Sequence, residues 1–203
     1  MNTESEADIS YLKQVAEQGQ KAPLQGGEHG VIWGGMYMIS ALYAYALLSG
    51  YIQLEPWTLG LAFVIPIPAG VVITRYFAKN AGGLSFGNKT AAAAWNAVGI
   101  IIWVLYAPVI AAKALGLLTL SATFVLGALQ VTIFALYAVA YATTAQVSQD
   151  RQQYLFAGTA VAASLGSIFA IGTLEIFLVM AAGIFFSAVI PGVLIMSKSW
   201  VKN

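Results

Sequence analysis

Six long apolar runs, none carrying an Asp, Glu, Lys, Arg or His near its middle, restrict this chain more tightly than any other feature of its sequence. They fall at 31–54, 57–77, 91–112, 117–145, 154–172 and 174–196, each near the ~20 residues that cross a hydrocarbon layer ~30 Å thick. With 60% hydrophobic residues, 8% charged residues and a mean hydropathy of +0.80, no soluble globular domain is compatible with the chain. The runs are continuous rather than alternating, so they predict helices and not a barrel. The expected fold is all-α: a polytopic membrane protein of six transmembrane helices, with the fifth and sixth meeting at Gly172 and Thr173 across almost no loop.

The cations set an orientation. Lys13, Lys21, Arg75, Lys79, Lys89, Arg151, Lys198 and Lys202, eight of the nine Lys and Arg residues, lie in the N-terminal arm, the second and fourth connections and the tail. Only Lys113 lies across the membrane, which predicts cytoplasmic N and C termini. The chain then divides into a cytoplasmic arm (1–30), a transmembrane domain (31–196) and a cytoplasmic tail (197–203). No basic segment leads into a short apolar one, so a cleavable signal is not expected and the first run is retained. The outer connections are too short for a domain, leaving the cytoplasmic side as the one large aqueous surface. With no Cys in the chain, disulfides and thiol chemistry are excluded.

Trp33, Trp95 and Trp200 at inner span ends and Trp57 at an outer end fit interfacial anchoring, whereas Trp103 falls near the midplane, where its N–H needs a partner within the bundle. Apart from Gln53 at the outer end of the first run, Asn96 and Gln130 are the only carboxamides within the runs, joined by the hydroxyls of Thr132, Ser164 and Ser167. Such residues either hydrogen-bond between helices or line a polar passage. Pro66 and Pro68, followed by Gly70, interrupt the second run and free backbone carbonyls, which is the signature of a packing kink or of a midplane ligand site. Pro108 and Pro191-Gly192 read as local bends near helix ends. Gly158, Ala162, Gly166 and Ala170 form a small-residue stripe that admits another helix closely, within the bundle or from a second copy.

Outside the runs, Lys113 and Glu175 are placed to pair at the outer rim, and His29 adjoins Glu28 at the start of the first helix. Residues 82–90 superficially suggest a phosphate loop, but Asn88 separates Gly87 from Lys89 and no strand precedes them. The expectation there is a cytoplasmic loop in which Asn88 or Thr90 caps the third helix. In the arm, Asp8 is placed to cap a short amphipathic helix whose apolar face carries Ile9, Leu12, Val15 and Ala16. That face suits the chain's own inner loops, the lipid surface or a protein partner.

The segments Asp8-Ile9-Ser10-Tyr11-Leu12 and Ala22-Pro23-Leu24-Gln25-Gly26-Gly27 running into Trp33-Gly34, with Gly87-Asn88-Lys89 before Trp95, resemble a family of uncharacterised six-span alphaproteobacterial inner-membrane proteins. The resemblance covers the arm and the first three spans and implies a bacterial inner-membrane location, without implying an activity.

Paired acids, His clusters and nucleophile–base pairs are missing, so no enzyme, metal site or cofactor is expected. Nor is direct nucleic-acid binding. The leading expectation is an accessory, sensory or assembly protein that docks a cytoplasmic or membrane protein partner on its cytoplasmic face. Its rival is a channel or facilitator for a small neutral solute, built as a homo-oligomer, with Asn96, Trp103, Gln130, Pro66 and Pro68 along the route. The orientation has a direct check, because the Cys-free chain makes Leu54→Cys the sole thiol: an impermeant maleimide added outside should label it. Labelling only from the cytoplasmic side reverses the topology.

Overall fold

In lipid each backbone N–H and C=O needs a partner within the chain, and a continuous apolar run meets that demand by becoming helix. In the computed structural model of the protein, residues 9–11, 24–55, 57–78 and 85–200 are described, and their regular structure is entirely helical. The spans are α1 (Gly27–Leu48); α2 and α3 (Thr58–Val64 and Pro66–Ala78), together the second; α4 (Phe86–Ala114); α5 (Ala122–Ser148); and α6 (Gln152–Ala170). The sixth consists of α7 (Ile176–Ile184), a π-helical turn (Phe185–Val189) and α8 (Ile190–Trp200). All six are long and apolar enough to cross a membrane, so the protein is an integral, multi-pass membrane protein.

Local chemistry moves several ends away from their expected positions. The first helix stops at Leu48 rather than 54, because Gly50 takes a φ of 78° and the N–H groups of Ser49, Gly50 and Tyr51 turn back onto carbonyls of the last turn. Ser121 caps α5 by accepting the Phe124 N–H at 3.2 Å, so that helix starts at 122 rather than 117. Gly172, at φ 85°, turns the chain between α6 and α7, and its carbonyl accepts the Thr123 hydroxyl at 3.1 Å. At α4 the cap is Ser85, whose Oγ accepts the Asn88 N–H at 3.3 Å, and not Asn88 or Thr90 as expected.

The helices pack in the order α2/α3, α1, the sixth span, α6, α5 and α4. The two most extensive pairings join α1 to the sixth span and α5 to α6, and the sixth span fills the centre against α1 and α6. Its contact with α1 is a backbone seam. A Cβ at Gly30 would lie 2.7 Å from the Ala188 carbonyl, and one at Gly192 would lie 2.5 Å from the Gly27 carbonyl. Gly34 lies against Ala188 and Val189 in the same seam. Small residues let two helices approach this far, and dispersion and close packing then hold them where lipid offers no hydrophobic gain.

Prolines lie within three spans, and in two of them, at Pro66 and at Pro191, a neighbouring hydroxyl repairs the ladder. Pro66 has no N–H for the Ala62 carbonyl, and Ser40 of α1 reaches that oxygen at 2.5 Å. Pro191 withholds its N–H from the sixth span just beyond the π-helical turn. There the Tyr141 hydroxyl of α5 donates to the Ser187 carbonyl at 2.6 Å, and Thr159 of α6 lies 3.3 Å from the Phe186 carbonyl. Pro191 and Gly192 are buried in the seam with α1, so the expected bend near a helix end is instead a packed feature of the core.

Tyr141→Phe should therefore destabilise the folded state by about 1–2 kcal/mol, since it strands a buried carbonyl. Gly30→Leu should cost more by forcing α1 off the sixth span. Denaturant titration in mixed micelles checks both.

Candidate functional site

The residues singled out by the sequence do not converge on one place. Gln130 is buried and donates to the Ser167 hydroxyl at 2.9 Å, while Ser167 donates to the Ala163 carbonyl at 2.8 Å. Ser164 donates to the Val131 carbonyl at 2.8 Å. These bonds fasten α5 to α6, and the Gln130 amide is committed to Ser167. Thr132 turns back onto its own helix at the Ala128 carbonyl, 3.3 Å away. Pro66 is buried against α1 and Pro68 is exposed.

Asn96 and Trp103 lie on the outside of the bundle; Asn96 is exposed and Trp103 is 52% exposed. Trp103 was expected to point inward, and helical geometry explains the difference. Trp95 faces α5, edge-on to Tyr137 at 5.2 Å and Tyr141 at 4.8 Å between centroids. At ~100° per residue, Asn96 and Trp103 share a face roughly a quarter-turn away from it. Ala91 and Val98 are buried on the Trp95 side. Trp95 thus packs into the protein rather than serving as the expected interfacial anchor. Trp33 likewise stacks on Tyr37, with centroids 6.3 Å apart, and lies over Gly70. Trp57 is 66% exposed, as an anchor requires, while the Trp200 side chain lies outside the described residues.

Of the arm, Ile9 is described as helical and exposed; Leu12, Val15 and Ala16 lie outside the described residues. The Lys113 side chain does too, so the proposed rim pair with Glu175 is not defined. Glu175 itself is exposed, and a hydrogen bond with the Thr173 side chain, followed by its own backbone, holds its carboxyl below the usual glutamate range. His29 Nδ1 lies 3.6 Å from Glu28 Oε1 at the start of α1. In the small-residue stripe of α6, a Cβ at Gly158 would meet nothing and one at Gly166 would touch Val179 at 3.6 Å, while Ala170 is buried in the α1–α7 cluster.

Two polar features organise the basic end of the bundle. The Gln25 N–H donates to Asn88 Oδ1 at 2.8 Å, tying the segment before α1 to the first turn of α4. Asp150 accepts the Gln152 N–H at 3.0 Å and faces Lys198 Nζ at 3.4 Å, tying the α5–α6 turn to the end of α8.

Sequence reasoning missed a stripe of aromatic side chains along α4 and α5. Trp95 and Tyr106 are eleven residues apart, three turns, and so share one face of α4. Phe134, Tyr137 and Tyr141 recur at the same kind of spacing along α5, with Phe134 edge-on to Tyr137 at 6.2 Å. On α1, Tyr37 lies 6.5 Å from Phe63 of the second span, between centroids. Reading the aromatics by helical face, rather than by depth, was the available signal.

Compared with protein-family models, with curated proteins and with solved structures, the chain matches none. The polar residues separate in one experiment: Gln130→Leu should cost about 0.6–2 kcal/mol by breaking the α5–α6 bond, whereas Asn96→Leu should leave stability unchanged within about 0.5 kcal/mol. Thermal unfolding in a single detergent distinguishes the two.

Proposed function

We propose that the protein is a non-catalytic accessory or sensory component of a bacterial inner membrane, with a protein partner docked at its basic, cytoplasmic end. The observation that carries this reading is the way that end is tied together. Gln25–Asn88 ties the segment before α1 to α4, Lys198–Asp150 ties the α5–α6 turn to α8, and the Gly27–Gly192 approach links α1 to α8, so the four form one platform beneath the bundle. The other end has short turns, of which Gln53 to Glu55, Leu115 to Ser121 and Ile171 to Glu175 are described. A fixed polar platform beside an arm with an apolar face suits recognition of a protein in water or at the lipid surface.

Among the described residues, no side chain on that platform forms the arrangement that general acid–base or nucleophilic chemistry requires. In this reading the partner is held and not transformed.

Removing residues 1–20 should release the partner when the protein is purified from its native membrane in mild detergent, while the six-span core remains monodisperse. Undiminished association of the same partner with the truncated protein would sink the role of the arm.

A further inference from the structure

Asn96 puts a carboxamide into the lipid. At ~1.5 Å per residue it lies ~15 Å from the start of α4 and ~20 Å from Val109, well inside a hydrocarbon layer ~30 Å thick. Its side chain is exposed, and among the described residues it makes no hydrogen bond. It is also too short to reach the headgroups, as a Lys or Arg side chain does. An amide that faces hydrocarbon without a partner is strongly disfavoured, so the face that carries it requires a cover.

That face belongs to the least covered span of the bundle. Among the described residues α4 packs on α5 and on no other span to a comparable extent. Buried residues make up 6% of the third span, against 17% or more of every other. On its outer side, Ala92, Asn96, Gly99 and Trp103 follow one another at intervals of four, three and four residues, the rhythm that keeps one helix stripe against a neighbouring helix. A Cβ at Gly99 would meet nothing within 4 Å, so the glycine leaves a hollow that nothing else in the chain fills. Trp103, 52% exposed, likewise has no hydrogen bond for its indole N–H among the described residues.

The chemistry of Asn96 selects the occupant. A carboxamide holds two donors and an acceptor, so it is complementary to itself. Copies of one membrane protein insert in one orientation and to one depth. Where two of them meet through the same helix, a two-fold axis along the membrane normal sets Asn96 level with Asn96, and each can donate to the other. A different protein would need a polar side chain of its own at that depth and direction, whereas a second copy supplies one by symmetry. From Thr90 to Ala112 the helix carries no Asp, Glu, Lys, Arg or His, so the face does not repel its like.

We propose that the protein is a parallel dimer in the membrane, joined through the Ala92–Trp103 face of α4, with Asn96 of each copy donating to the Asn96 side-chain carbonyl of the other. The small Ala92 and Gly99 bring the helices near enough for these short side chains to meet. Helical side chains lean toward the N-terminus, so each Trp103 ring packs into the hollow at the second copy's Gly99. The interface stands apart from the cytoplasmic docking reading, and either can fail without the other.

Disulfide trapping in native membranes locates the interface. In the Cys-free chain, Ala92→Cys and Ala107→Cys each place one thiol on the exposed stripe, and both should yield a dimer on oxidation. Phe169→Cys, 86% exposed on α6, measures random collision and should not. Proteoliposomes then give the strength of association. Copies carrying donor or acceptor dyes at Leu54→Cys should show energy transfer that falls on dilution with lipid and varies linearly with the acceptor fraction, as a dimer requires. Asn96→Leu should raise the protein-to-lipid ratio at half-association about three- to thirtyfold, while Asn96→Gln, which keeps the carboxamide, should stay near wild type. Asn96 makes no bond within its own chain, so the Leu variant should keep the wild-type helical circular dichroism, which separates lost association from lost fold. Trapping at neither stripe position or equally at all three, association unaltered by Asn96→Leu, or energy transfer that curves with acceptor fraction as in larger rings overturns the proposal. Trapping of Ala92→Cys onto a different protein in place of a second copy overturns it as well.

Discussion

A carbonyl deprived of its helical N–H cannot be left facing hydrocarbon, and this requirement organises the bundle. Pro66 and Pro191 each create such a carbonyl within a span. Ser40 and Tyr141 supply the missing protons from adjacent helices, at 2.5 and 2.6 Å. Each repair is also a tether: one holds the second span to α1, the other holds α5 to the sixth span. Thr159 adds a contact from α6 at the same π-helical turn. Breaks of this kind build ligand sites in some transporters because a ligand or ion takes up the freed groups. Here the protein takes up those of Ala62 and Ser187 itself.

The tethers divide the molecule into a firm half and a loose half. In the firm half, α1 meets the sixth span backbone to backbone through Gly27, Gly30, Gly34 and Gly192, and Gln130 and Ser164 bind α5 to α6. Buried residues make up 39% of the fifth and sixth spans but 6% of the third, so α4 depends on one neighbour. Polar side chains serve as fasteners in both halves, Gln130 and Ser164 in the firm one and Ser40 in the loose one.

The fold was legible from the chain because hydropathy over ~20 residues is a one-dimensional signal that six spans cannot hide. Helix ends were less so, since a φ of 78° at Gly50 or a cap at Ser121 outweighs the apolar residues beyond it. The site was legible only in parts. Asn96 and Trp103 were marked by depth, but direction around the helix decides what a residue meets, and Trp95 is the residue of α4 that turns inward. Gly30 and Gly34 have the spacing of a close helix contact, yet such spacing does not name its partner, and the comparable stripe on α6 is open at Gly158 and packed at Gly166 and Ala170.

The glycine seam has a consequence for how the molecule comes into being. It joins the first span to the sixth, so the two parts of the bundle are united by the helices that leave the ribosome farthest apart in time. Until the sixth arrives, α1 presents its bare backbone stripe to lipid, and Tyr141 holds a proton for a carbonyl not yet made. The nascent bundle is thus two groups of helices whose most intimate joint forms last. For this protein, insertion and folding are successive events, and the interval between them is set by the length of chain separating Gly30 from Gly192.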